Sequence, residues 1–147
     1  MNSVSSDDTI VHEITIHAPA DRIFEALINS DQRLQWWGAD GRFRATHMES
    51  DLRPGGRWAM RGVAMGGKPF TVVGEYREIT RPRALVFTWL PDWEDGAPQS
   101  LVRIELREAD GTTTVRLTHS GLARDRSRQS HRGWPQLLAR LRAHAER

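Results

Sequence analysis

The sequence contains no cysteine, one lysine and one tyrosine among 147 residues. The missing thiols exclude disulfides, thiol nucleophiles and every cysteine-ligated zinc or iron–sulfur centre, and they suit a reducing cytoplasm. Long apolar runs are missing too, since no stretch approaches the roughly 20 residues that a membrane-spanning helix needs. The first residues, MNSVSSDDT, have neither a basic region nor an apolar core, so they read as neither signal peptide nor anchor. Residues 1–8 are expected to be disordered, and residues 9–147 to form one domain. A chain of this size buries roughly 70% of its unfolded surface, enough for a core without staples.

The near-absence of lysine leaves arginine to set the positive charge, and the formal net charge is only +2. Arg42, Arg44, Arg53, Arg57, Arg61, Arg77, Arg81 and Arg83 are interleaved with acids rather than clustered in a block. That pattern describes a solvated surface and argues against a nucleic-acid partner.

The lone lysine sits in GVAMGGKPF, residues 62–70, which has the glycine and lysine spacing of a phosphate-binding loop. Such a loop needs a helix after it, whose N-terminal amides hold the phosphate, and a hydroxyl residue after the lysine for magnesium. Here Pro69 follows Lys68, and FTVVGEY continues as a β-branched, strand-like segment. The segment is read as a hairpin turn, and no nucleotide cofactor is expected.

Periodicity assigns the elements. IVHEITIH (10–17) alternates, with Ile10, Ile14 and Ile16 on one face of a strand. Pro19 suits the first turn of a helix in which Ile23, Phe24, Leu27 and Ile28 form the apolar stripe. Ser30 is placed to cap a second short helix, DQRLQWW, with Leu34 and Trp37 on one side. From Phe43 the period becomes two. Strands are expected at 43–49, 57–63, 69–79, 84–90, 100–108 and 112–119, with turns at RPGG and TRPR and the strongest hairpin signal at Asp110–Gly111. Phe70, Val72 and Tyr76 have one parity, whereas Val73 and Ile79 have the other, and a bulge at Gly74 would reconcile them. The last segment is helical, with Trp134, Leu137, Leu138 and Leu141 as its apolar face and a kink expected near Gly133 ahead of Pro135. One strand, two short helices, about six more strands and a long helix make an α+β chain. Its curved antiparallel sheet has one face for the long helix to cover.

Candidate chemistry is sparse. The histidines at 12, 17, 47, 119, 131 and 144 lack the spacing of a helical metal site, so no metal is expected. Only His119 continues the inward face of a strand. No paired carboxylates can be assigned: Glu49, Asp51, Glu75 and Glu78 could reach a cavity, but an outward or loop-capping role is expected for most of them. Trp37, Trp58, Met60, Phe70, Tyr76, Phe87, Trp89, Ile104, His119, Trp134 and Leu138 are the candidate ligand-binding residues. Large apolar side chains ordinarily fill cores. If sheet and helix leave space between them, the same residues line a cavity, with Tyr76 and His119 as its orienting polar groups.

APADRIFEALINSDQRLQWWG, DLRPGGRW, GEYREITRPRALVFTW, THSGL and HRGWPQLLARL, in this order, resemble the bacterial proteins similar to the activator of heat-shock protein 90 ATPase. These belong to the START-like (SRPBCC, helix-grip) superfamily, and the resemblance runs from about Ile10 to Leu141. It implies a helix-grip fold of about six to seven strands wrapped around a long C-terminal helix, with an apolar cavity between. It also implies binding of a small hydrophobic or aromatic ligand, with no catalytic set to transfer. Two other readings stand beside that one. One is a cyclase, dehydratase or hydrolase using His119, Tyr76 or Glu75. The other is a protein-interaction module centred on Trp93 in LPDWEDGAP. A symmetric homodimer is the common default for such a domain.

Overall fold

The computed structural model describes residues 9–39, 43–92, 99–122 and 124–147. The elements follow the sequence order: β1 (Ile10–Ile16), α1 (Ala20–Ile28), α2 (Ser30–Trp36), β2 (Gly38–Ala39), β3 (Phe43–Ser50), β4 (Arg57–Ala64), β5 (Pro69–Thr80), β6 (Ala84–Pro91), β7 (Ser100–Ala109), β8 (Thr112–Ser120) and α3 (Arg124–Ala145). Seven substantial strands and the two-residue β2 form one antiparallel sheet in the order β1-β8-β7-β6-β5-β4-β3-β2. The result is the expected α+β helix-grip architecture. Every neighbour from β2 to β8 is a sequence neighbour. Only β1 is out of order, and α1 and α2 carry the chain from that edge to the other. Helix α3 packs against both β1 and β2, the two edges of the sheet, so the sheet curls around it.

Local chemistry explains the turns. Asp110 and Gly111 both have positive φ, as a two-residue hairpin requires, and Ala109 pairs with Thr112 across them. The glycine-rich segment closes the β4–β5 hairpin through a single 3-10 turn at Met65–Gly67, with Gly66 and Gly67 left-handed and Ala64 N–H donating to the Lys68 carbonyl at 2.7 Å. A strand follows it, not a helix.

Three expectations need correction. The cap of α2 is Asn29, whose Oδ1 accepts from Gln32 N–H at 3.0 Å, and Ser30 is already the first helical residue. The side chains that α2 buries fully are Arg33 and Trp36, while Leu34 is only half-buried. The bulge of β5 lies between Tyr76 and Glu78, not at Gly74. Its extra residue flips the parity, so Phe70, Val72 and Tyr76 face inward before it and Ile79 packs inward after it. A second irregularity between Ala45 and His47 interrupts the β3–β4 ladder. Helix α3 continues through Pro135. The expected disordered residues 1–8 and the loop tryptophan Trp93 lie outside the described residues.

Polar contacts fix the helices to the sheet. Pro19 offers no side-chain cap to α1, and the Glu108 carboxylate of β7 accepts from Ala20 N–H at 2.8 Å instead, placing negative charge at the helix N-terminus. Helix α3 is held to α2 by Arg140, whose Nε donates to the Trp36 carbonyl at 2.9 Å, and by His144, whose Nε2 lies 3.0 Å from Gln32 Oε1. Because Gln32 Oε1 is an acceptor, His144 Nε2 carries the hydrogen. Its Nδ1 is buried and unpartnered, so a second proton there would be a stranded donor. Burial, aided by the positive charge of Arg147, accordingly holds the His144 pKa below the usual 6.5. A histidine depressed in the folded state binds fewer protons than it does in the unfolded chain, so its contribution to stability is full above pH 6.5 and is lost as pH falls below it. His144→Gln should therefore flatten the fall in urea midpoint from neutral to mildly acidic pH. Unchanged slopes in parent and variant would remove His144 from the titration.

Candidate ligand-binding site

Strand alternation presents one face of the sheet to α3. Trp58 and Met60 of β4, Phe70, Val72 and Tyr76 of β5, Leu85 and Phe87 of β6, Val102 and Ile104 of β7, and Val115, Leu117 and His119 of β8 are all buried. Trp134, Leu137, Leu138 and Leu141 of α3 meet them, and Trp36 and Trp37 close the space from α2. Every candidate ligand-binding residue named from the sequence lies on this concave side, and all are buried except Trp89, which is half-buried.

The rings form a continuous set of contacts. Trp89 stacks on Trp37 at 6.0 Å between centroids and also touches Trp134 at 5.5 Å, Trp58 at 5.9 Å and His119 at 6.0 Å. Trp58 stands edge-on to Phe87 at 5.5 Å, and Trp37 to Trp134 at 6.0 Å. Phe70 is placed further along the sheet, with its ring edge-on to Phe43 at 5.6 Å.

His119 sits in a chain of hydrogen bonds with a defined direction. Trp134 Nε1, which can only donate, donates to His119 Nδ1 at 3.0 Å. The ring hydrogen is therefore on Nε2, which donates to Ser100 Oγ at 2.7 Å, and Ser100 Oγ donates to the Trp89 carbonyl at 3.3 Å. This arrangement locks α3 onto β8, β7 and β6. Tyr76 Oη is 2.8 Å from Ser50 Oγ and accepts from Arg33 at 3.4 Å. The carboxylates named from the sequence face elsewhere. Glu75 pairs with Arg77 at 3.4 Å, Glu78 lies 3.7 Å from Arg103, and Asp51 pairs with Arg53 at 2.8 Å, all on partly or largely exposed side chains. Glu49 is exposed.

Sequence reasoning passed over Arg33. It is 3% exposed, and its guanidinium lies over the rings of Trp37 at 5.1 Å and Trp58 at 5.3 Å. Burial pulls its pKa below the ordinary arginine value, although an arginine side chain stays charged in proteins. The available signal was its spacing: Arg33 and Trp37 are four residues apart, one turn along the same helix face.

Among the described residues no cluster of side chains suited to a metal ion occurs, and no helix is long and apolar enough to cross a membrane. The family model described as Activator of Hsp90 ATPase homolog 1-like protein matches residues 17–146. No curated protein matches the sequence. Among solved structures, a protein from Chromobacterium violaceum superposes with a TM-score of 0.87 at 24% identity, over 95% of this chain and 98% of the other. An AHSA1 protein from Silicibacter pomeroyi gives 0.78 at 25% identity over 92% and 95%. CalU16 from Micromonospora echinospora gives 0.72 at 23% identity over 93% and 75%.

Proposed function

This chain belongs to the family of activator of Hsp90 ATPase homolog 1-like proteins, and on that premise we propose that it binds a small hydrophobic or aromatic molecule between its curved sheet and α3. The observation that carries this reading is the convergence of Trp37, Trp58, Trp89 and Trp134 from α2, β4, β6 and α3 onto one buried surface. A binding site for a small molecule combines such apolar and aromatic walls with a few placed polar groups. Here those groups are Tyr76 and His119 on the sheet and Arg33 on α2. The rings already touch one another, so a guest is admitted by displacing them. Trp89, half-buried, is the ring with most room to move.

Titration with the uncharged fluorophore N-phenylnaphthylamine should give saturable enhancement of its emission. Trp89→Ala should weaken that binding by about tenfold, the value of one lost aromatic contact with its buried area, while far-ultraviolet dichroism reports an intact fold. Absence of saturable binding by the parent protein would remove the reading.

A further inference from the structure

Charge in a protein core is ordinarily met by opposite charge, because desolvating a lone ion costs several kcal/mol. Arg33 breaks that pattern. Its ion pairs are absent among the described residues, and its Nε is buried without an acceptor. Among the described residues its side chain makes one hydrogen bond, from a terminal nitrogen to Tyr76 Oη at 3.4 Å. The two indoles that flank it share the deficit: Trp37 Nε1 and Trp58 Nε1 are also buried with no acceptor. The neighbouring buried indoles Trp36 and Trp134 are not in that condition, since Trp36 donates to the Ala26 carbonyl at 2.9 Å and Trp134 to His119. The shortage is therefore local. Among the described residues Tyr76 Oη is the one acceptor the Arg33 side chain meets, and the two indoles stacked on it also carry N–H groups without acceptors.

We propose that Arg33, between Trp37 and Trp58, receives the oxyanion head group of the ligand, so that the molecule bound is an aromatic or apolar acid carrying a carboxylate or a similar group. This rests on the function proposed above and adds the polarity of the ligand to it. The guanidinium supplies charge and directed donors, and the ring faces of the two indoles hold it in place. The apolar body of the ligand then lies along Trp89 and Trp134. Tyr76 Oη, shared between Arg33 and the half-buried Ser50, fixes the arginine from the sheet side.

The test compares two probes that differ in one group, anilinonaphthalene sulfonate and its uncharged parent N-phenylnaphthylamine. The parent protein should bind the sulfonate at least about tenfold more tightly, as a charge-assisted hydrogen bond implies. Arg33→Met should lose the preference for the sulfonate and bind the two probes alike, with far-ultraviolet dichroism and thermal melting reporting that the variant is folded. A second measurement needs no variant: naphthoate should displace the neutral probe at about a tenfold lower concentration than naphthylmethanol does. Equal affinity of the parent protein for charged and neutral probes overturns the head-group assignment and leaves the apolar site standing. So does a sulfonate preference that survives in Arg33→Met. Failure of both probes to bind saturably overturns the apolar site and the assignment together.

Discussion

Trp134→Ala is expected to destabilise the protein by about 3–5 kcal/mol, the range for removing a large buried aromatic from a core that cannot collapse onto the gap. For a chain of this size that is a fall in Tm of about 10 °C or more. Two losses combine. The indole fills the space between α3 and the Trp37, Trp89 and His119 rings. Its Nε1 is also the donor to His119 Nδ1. Trp134→Phe separates them: it keeps most of the ring and removes the N–H, so it should cost about 1–3 kcal/mol, the penalty for stranding a buried acceptor. Urea denaturation of both variants measures each term. A neutral Trp134→Phe would mean that His119 Nδ1 does not depend on the indole, and the assignment of the ring hydrogen to His119 Nε2 would lose its support.

That chain of hydrogen bonds marks where the sequence stops being readable. Strand alternation put His119 on the inward face beside Val115 and Leu117, and the Asp110–Gly111 turn fixed the β7–β8 register; both are local properties. Ser100, which accepts from His119, had no such signal. It meets the histidine only because the register of β7 against β8 brings the start of one strand beside the end of the other. Arg33 was hidden for a different reason. A charged residue on a short helix is assigned to solvent by composition, and its burial depends on how α2 is pinned against α3 by Arg140 and His144. The fold was legible because period, turns and element order all agree. The aromatic members of the candidate site were legible with it, and so were Tyr76 and His119, which strand parity turns inward. Arg33 and Ser100 were not, because their places depend on contacts between elements far apart in the chain.

The bulge teaches the same lesson at one position, and Gly74 carries the second large effect. Parity demands one extra residue in β5, and glycine is the usual place to put it. The structure puts the bulge beyond Tyr76 and uses Gly74 for close approach instead. Gly74 lies directly across from Trp58 in the β4–β5 ladder, and the indole lies over it. A Cβ added there would meet the Thr88 carbonyl oxygen and the Trp58 indole, with Trp58 Cε2 only 2.6 Å away. Neither neighbour can yield cheaply. The carbonyl belongs to the backbone of β6, and the ring is wedged against Phe87, Trp89 and Arg33. Overpacking of this kind costs about 1–3 kcal/mol and occasionally more, so Gly74→Ala should lie inside that range and Gly74→Val at or beyond its upper end. The loss should be read both as a lower urea midpoint and as a changed near-ultraviolet spectrum, because the displaced chromophore is Trp58 itself. It should also weaken binding of an anionic probe more than that of its neutral parent, since the ring that moves is one of the two that hold the Arg33 guanidinium. A Gly74→Ala variant as stable as the parent would show instead that Trp58 slides freely over β5. The flank it gives Arg33 would then be loose rather than built.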